Sequence, residues 1–231
     1  MKTWRTSHGY SIIQGLKGRS NAFILATTKY NLLVDTGPVR KRKSLGRNLD
    51  KLGIHRIDLL ILTHAHFDHA GNAAWIKEKY GSPILVHHAE VASLQNGISD
   101  MVLGTMLYSR LLVKFTGRLA RFAMRFQACQ PDIVSGDQYD LQLFGFNAFV
   151  MNTPGHTEGS QSVVVDHEIA LVGDTMFGVF RNSIFPPFAN DKDLLCKSWY
   201  RLLETGCKLY LPSHGTANSR KLVMQEYNRL K

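Results

Sequence analysis

Eight apolar runs of strand length recur along the chain, and stretches with a helical pattern separate the early and the late ones. The runs span 21–28, 31–37, 56–64, 83–88, 144–155, 160–166, 168–174 and 207–215. The candidate helices span 43–53, 71–80, 88–96, 190–205 and 216–231. Strands that alternate with helices at both ends of a chain, with consecutive strands between, favour a layered α/β fold over a helical bundle or an all-β sandwich.

The composition is that of an ordinary globular protein, with a hydrophobic fraction of 44% in 231 residues. Cys129, Cys196 and Cys207 show no paired spacing, so we expect reduced thiols. The sequence has neither an apolar leader nor a run long enough to span a bilayer, which predicts a cytoplasmic location. The net charge of +10 leaves three anionic partners open: nucleic acid, an acidic lipid surface or a small substrate.

Polar residues follow several of the apolar runs at the point where each predicted strand ends. Asp35, His64, Asp174 and His214 all occupy such positions. Ligand sites in open α/β sheets gather at the carboxyl ends of strands. The sequence therefore predicts that these residues share one site.

The segment 64–69 places four possible metal ligands within six residues, directly after an apolar strand. Burying three histidines and an aspartate unpaired would be costly, whereas on a strand-end loop they can converge on a cation. Imidazole and carboxylate without cysteine suit zinc, with iron or manganese as alternatives, and argue against a purely structural zinc site. The predicted ligands are His64, His66, Asp68, His69, His156, Asp174 and His214. The histidines at 8, 55, 87, 88 and 167 are given no role.

The stretch THAHFDHAGN at 63–72 contains the full H-x-H-x-D-H signature, and with it the chain resembles the metallo-β-lactamase-fold superfamily of metallohydrolases. The resemblance extends from the run at 21–28 to His214. It implies a four-layer αββα sandwich of two mixed β-sheets flanked by helices. It also implies two metal sites bridged by Asp174: a first of His64, His66 and His156, and a second of Asp68, His69 and His214.

The resemblance implies a reaction in which a hydroxide shared by two zinc ions attacks a carbonyl or phosphoryl centre. Asp68 is the expected catalytic residue, orienting the hydroxide or passing a proton to the leaving group. β-Lactamases of this fold carry Cys or Ser in place of Asp174, and the related lactonases carry Tyr in place of Phe177. The stretch 173–177 is similar to that of glyoxalase II-type thioesterases.

We therefore expect hydrolysis of a small-molecule carboxylic ester, lactone or thioester. Two alternatives stay open: a phosphodiesterase or ribonuclease of the same fold, which the positive charge would suit, and a non-catalytic metal-binding protein. Asp35 has two equally weighted interpretations, as a residue that orients a ligand imidazole or as a simple Asx turn after the strand.

We expect one domain over 1–231 with a basic helical insertion at about 97–131, and residues 101–131 contain no acidic side chain. A helix at 108–126 would carry two stripes at helical spacing. The basic stripe comprises Arg110, Lys114, Arg118, Arg121 and Arg125, and the apolar stripe comprises Leu112, Phe115, Leu119, Phe122 and Phe126. The favoured interpretation is that the apolar stripe packs on the core with partial lid character. A lid over the substrate pocket and attachment to an anionic membrane surface are the alternatives.

Overall fold

The computed structural model describes residues 1–18 and 20–230, with the side chains of 116–123 left out. Its strands form a seven-stranded and a six-stranded sheet. The first sheet contains β1 (Thr3–Arg5), β2 (Ser11–Leu16), β3 (Ala22–Ala26), β4 (Asn31–Val34), β5 (Leu59–Ile61), β6 (Ile84–His87) and β7 (Ile133–Ser135). The second contains β8 (Gln138–Asp140), β9 (Ala148–Asn152), β10 (Gln161–Val165), β11 (Ile169–Gly173), β12 (Leu209–Pro212) and β13 (Asn218–Ser219).

Within the described residues, six α-helices cover the outer faces of the sheets or connect their strands. They are α1 (Arg42–Lys51), α2 (Ala73–Tyr80), α3 (Val91–Asn96), α4 (Leu107–Ala123), α5 (Lys192–Glu204) and α6 (Arg220–Leu230). In the first sheet β1 to β4 pair antiparallel and β4 to β7 pair parallel. The second sheet is antiparallel except where β11 pairs with β12. The parallel pairs need crossover connections, which the helices supply.

Three layers of buried apolar side chains hold the four layers of secondary structure together. The middle layer lies between the two sheets and joins residues such as Leu32 and Val163. One outer layer packs the first sheet against α1, α2 and α3, and the other packs the second sheet against α5 and α6. The four-layer αββα sandwich of two mixed sheets is thereby confirmed.

The continuous apolar runs of the sequence reflect strands that are buried on both faces. In β10, Val163 and Val165 point into the core between the sheets, while Val164 points toward the helices. Successive side chains of a strand alternate between faces. A strand covered on both sides therefore reads as an unbroken apolar run rather than as an alternating pattern.

The predicted helices and strands agree with the structure within a few residues, but other strands of the structure were not predicted. The strands missing from the prediction are β1, β2, β7, β8 and β13. The three cysteines are free, as expected. None of the described helices combines the length and the apolar character that crossing a bilayer requires.

The expectation that the apolar stripe at 108–126 packs on the core is wrong for Leu112 and Phe115 and right for Phe126. Phe115 is 79% exposed and Leu112 is half exposed, whereas Phe126, beyond the end of the helix, is buried in the core under the first sheet. Leu119 and Phe122 lie outside the described side chains. The ends of the segment are fixed by hydrogen bonds from Thr105 N to Pro187 O and from Phe126 N to Gly97 O, and this attachment turns the apolar face outward.

Gly71 lies between the predicted ligand His69 and the start of α2, where the backbone has no room for a side chain. A Cβ atom there would lie 2.8 Å from the carbonyl oxygen of Gly37 and would overlap that of Phe67. We expect Gly71→Ala to lower the free energy of unfolding by about 1–3 kcal/mol through overpacking. Urea denaturation measures the change.

Gly136 provides the matched control, because a Cβ atom there meets nothing within 4 Å. Gly136→Ala should change the free energy of unfolding by less than about 0.5 kcal/mol. Equal stability of the two variants would contradict the close packing at Gly71.

Candidate metal centre

The seven predicted ligands come from four loops that follow strand ends in both sheets. The segment beginning at His64 follows β5 of the first sheet. His156 lies in the loop after β9, Asp174 directly follows β11, and His214 lies two residues beyond β12, all in the second sheet. The strand ends of the two sheets therefore meet at one edge of the sandwich and carry these side chains to a common point.

The structure brings all seven side chains together in three overlapping groups, within each of which the potential ligand atoms lie no more than 4.8 Å apart. The groups are His64 with His66 and His156, His64 with His69 and Asp174, and Asp68 with His69 and His214. Asp174 is thus grouped with His64 and His69, one histidine from each of the two sets that the family resemblance implies.

The carboxylate of Asp174 reaches toward histidines of both sets. Its Oδ1 lies 3.4 Å from His69 Nε2, and its Oδ2 lies 3.2 Å from His214 Nε2 and 3.7 Å from His156 Nε2. The carboxylate of Asp68 lies at the other side of the second set, with Oδ2 3.4 Å from His214 Nε2. The carboxylate of Asp174 therefore lies within 4 Å of histidines from both predicted sets.

Three buried polar atoms of the centre have no hydrogen-bond partner among the described residues: His66 Nε2, His69 Nε2 and Asp174 Oδ1. Unsatisfied polar atoms in an interior are rare because burying them costs free energy. Divalent cations at the two ligand sets would satisfy them, His66 in one set, His69 in the other and Asp174 between the two. Imidazole nitrogen and carboxylate oxygen are the donors that zinc, iron and manganese accept, so the residues fit such an ion.

Burial and charge divide the centre into two electrostatic halves. Burial lowers the pKa values of His64 and His66 well below the usual range, and neighbouring imidazoles lower them further. Burial also disfavours the charged form of His69 and His214, but the carboxylate of Asp174 raises the pKa of both. One half therefore presents neutral imidazoles, which is the form that binds a metal, and the other half is rich in carboxylate.

Asp35 holds two of the ligand loops in place through hydrogen bonds to residues that are distant in sequence. Its Oδ2 accepts hydrogen bonds from His69 Nδ1 at 2.8 Å and from Ser213 Oγ at 3.0 Å, and its Oδ1 accepts one from Thr63 N at 2.8 Å. Asp35 itself has φ +59°, a left-handed conformation that few residues other than Asn, Asp and Gly adopt readily. Of the two interpretations of Asp35, these contacts favour the orienting role over a local Asx turn.

Other contacts fix individual ligands, and of the residues that make them the sequence analysis named only Phe177, as a position where related lactonases carry Tyr. His156 Nδ1 donates to the carbonyl oxygen of Phe188 at 2.9 Å, which directs its Nε2 into the centre. The ring of Phe177 stacks on His214 with centroids 4.5 Å apart. Glu90 Oε2 accepts a hydrogen bond from the amide of Ala65 at 2.8 Å and so holds the ligand loop. No sequence motif marks Glu90 or Phe188.

A cleft of about 620 Å³ opens over the centre, and its walls are largely apolar. Its floor includes His66, Asp68, His156, Asp174 and His214. The apolar walls are formed by Pro38, Phe67, Met101, Val102, Leu112, Val113, Met124, Phe177 and Phe188. The α4 segment therefore borders the cleft through Leu112 and Val113, whereas Phe115 does not line it.

Comparison with known proteins agrees with the fold and the ligand pattern. A family model described as the metallo-beta-lactamase superfamily matches residues 15–214. The chain belongs to this superfamily. A probable metallo-hydrolase from Methanocaldococcus jannaschii is 29% identical over 165 residues, which are 71% of this chain and 71% of that protein. The resemblance to metallo-hydrolases of this fold and the prediction of a metal-dependent hydrolase are thereby confirmed at the level of the family.

Two further proteins are similar over most of the chain. An acyl-coenzyme A thioesterase from Homo sapiens is 27% identical over 214 residues, covering 85% of this chain and 73% of that protein. The crystal structure of an archaeal metallo-beta-lactamase superfamily protein from Sulfolobus tokodaii superposes with a TM-score of 0.65 at 21% identity, covering 92% of this chain and 80% of that one. The latter likeness concerns the fold alone.

The first test of the centre removes its shared carboxylate. Because Asp174 touches both sets of histidines, we expect Asp174→Ala to retain less than half of the metal that the unaltered protein carries, which should be close to two transition-metal ions per chain. Elemental analysis after metal-replete expression measures this. Asp50→Ala, on the exposed surface of α1, should leave the metal content unchanged. An unaltered protein without metal would contradict the assignment.

The second test concerns the support of His69 by Asp35. Asp35→Asn preserves shape but weakens acceptance from His69 Nδ1, so the affinity for the more weakly held metal should fall by about 10- to 100-fold. Chelator competition measures it. Asp166→Asn is the matched control, since Asp166 is also buried with a left-handed backbone (φ +54°) but does not touch the centre. Equal affinities in both variants would contradict the orienting role.

Proposed function

We propose that the protein hydrolyses a carboxylic ester, lactone or thioester with an apolar acyl group, using two divalent ions held by the seven ligands. Zinc suits the donor set best, with iron or manganese as alternatives. His64, His66 and His156 would hold one ion, Asp68, His69 and His214 the other, and Asp174 both. When bound, such a pair supplies a water of lowered pKa and a Lewis-acid contact for the substrate oxygen.

The observation that carries the proposal is the apolar cleft directly over the ligand cluster. Burying an apolar chain against Met101, Val102 and Leu112 removes its surface from water and stabilises the complex by about 0.8 kcal/mol for each methylene group. A substrate bound in this way would have its carbonyl carbon at the floor of the cleft, which Asp68 and Asp174 line. The cleft thus suits a substrate with an apolar tail and one hydrolysable carbonyl group.

Asp68 is suited to proton handling in this reaction. Asp68 and Asp174 both line the cleft, but the side chain of Asp68 is one-fifth exposed whereas that of Asp174 is buried. The backbone of Asp68 is held by a hydrogen bond from Ser20 Oγ to the carbonyl oxygen of Asp68. A carboxylate at the boundary between the ligand cluster and the cleft can orient an attacking water and then deliver a proton to the leaving group.

The lining of the cleft favours an acyl substrate over a phosphodiester. Arg40 is the only lysine or arginine among the described residues that line it. Nucleic-acid binding relies on several cationic side chains that contact successive phosphates. Arg110 and Lys114 border a separate depression. The similarity to an acyl-coenzyme A thioesterase adds support for a thioester within the proposed class.

Parallel assays with p-nitrophenyl acetate, a lactone series, an acyl thioester and bis-p-nitrophenyl phosphate test the reaction class. We expect one of the carbonyl substrates to exceed the phosphodiester in kcat/KM by at least tenfold. A clear preference for the phosphodiester would establish the nuclease alternative instead. Full metal content without turnover of any of the four would favour the non-catalytic alternative.

Chain length tests the role of the cleft. For p-nitrophenyl esters from acetate to octanoate, kcat/KM should rise up to about fourfold per added methylene, because each is buried against the apolar walls. Leu112→Ser should flatten this rise and leave acetate hydrolysis and metal content unchanged, so that the acetate ester serves as the internal control. A rise that is identical in both proteins would show that the chain lies elsewhere.

A further inference from the structure

The exposed side of α4 carries large apolar side chains where a water-facing helix ordinarily carries polar ones. Leu107 is 77% exposed and Phe115 is 79% exposed, and Tyr108 and Leu111 are exposed beside them. At about 100° per residue these four positions fall within an arc of roughly 100°. They form one continuous face, which we call the outer face of α4.

The opposite side of the helix attaches to the body of the protein. Ser109 is buried, and Val113 is partly buried and lines the cleft. The chain just before the helix is held by Thr105, whose Oγ1 donates to Pro186 O at 2.6 Å. Because the opposite side of the helix is attached to the protein, the outer face points to solvent.

Positive charge borders the outer face on one edge. Arg110 and Lys114 lie next to Leu107 around the helix, and with Lys192 at the start of α5 they line one shallow depression. Residues 101–131 contain no acidic side chain, and the chain carries a net charge of +10. An exposed apolar face with a basic edge is complementary to an anionic lipid surface, whose headgroups attract the cations while the acyl region accepts the apolar side chains.

We propose that the outer face of α4 docks the protein on a bilayer that contains anionic phospholipid. Leu107, Leu111 and Phe115 enter the boundary between headgroups and acyl chains, and Arg110 and Lys114 contact lipid phosphates. Leu112 belongs to the same helix and lines the cleft, so docking brings the mouth of the cleft to the lipid surface. The proposal concerns this surface alone and does not depend on which bond the centre hydrolyses.

Vesicle flotation tests the proposal with the full-length, metal-loaded protein. Vesicles of phosphatidylcholine mixed with phosphatidylglycerol should retain the protein, and vesicles of phosphatidylcholine alone should retain much less of it. Raising the salt concentration should weaken retention, since it screens the basic edge. Equal binding to both vesicle types, or binding to neither, would overturn the proposal.

Matched variants separate the apolar from the electrostatic contribution. The triple variant Leu107→Ser, Leu111→Ser, Phe115→Ser should reduce the partition coefficient by about a hundredfold or more. Arg110→Gln with Lys114→Gln should reduce it by roughly thirtyfold, at about 1 kcal/mol per charge. Leu143→Ser, at a position 85% exposed in a different part of the chain, should leave it unchanged. Unchanged metal content and circular dichroism establish that each variant is folded.

Two outcomes identify a different role for the outer face. If the triple variant binds vesicles like the unaltered protein, the contact lies elsewhere and the proposal fails. If light scattering shows a dimer that the triple variant converts to a monomer, while neither protein binds vesicles, the outer face pairs with a second copy of the chain instead.

Discussion

The buried carboxylate of Asp35 is the contact on which the arrangement of the centre depends. It accepts hydrogen bonds from Thr63 and His69, which follow a strand of the first sheet, and from Ser213, which follows a strand of the second. One side chain thus sets the distance between the two sheets at the edge where the ligand loops meet. The left-handed backbone of Asp35 is the conformational cost of this position, and the three contacts offset it.

The clustering of the seven side chains could be predicted from the sequence because these residues have local signals. Each ligand loop follows an apolar run, and the histidines of segment 64–69 stand where a buried strand could not continue. The role of Asp35 could only be left open, because its partners lie 28 to 178 residues away. Glu90 gives no signal at all, since its contact with Ala65 arises from tertiary packing between the start of α3 and the loop after β5.

In the fold, too, some elements could be predicted from a local sequence pattern, whereas others depend on tertiary contacts that no local pattern shows. The apolar run at 160–166 predicts β10 because it is covered on both faces, whereas β1, β7, β8 and β13 have only two or three residues and no readable pattern. For α4 the periodicity separates an apolar from a basic stripe, but it does not state which stripe faces inward. An apolar stripe has the same residue types whether it is buried in a core or faces a lipid surface. The tertiary contacts at the helix ends determine which of the two environments the stripe meets.

The two sheets are built from consecutive halves of the chain, so they are synthesised in sequence. The first sheet uses residues up to Ser135 and the second begins at Gln138. Until the second half leaves the ribosome, the inner face of the first sheet has no partner for side chains such as Leu59 and Ile61, which lie in the shared core. His64 and His69 likewise have no contact with Asp174 and His214 until the second half has been synthesised. During synthesis the first half therefore exposes an apolar sheet face, which is the kind of surface that promotes aggregation of folding intermediates.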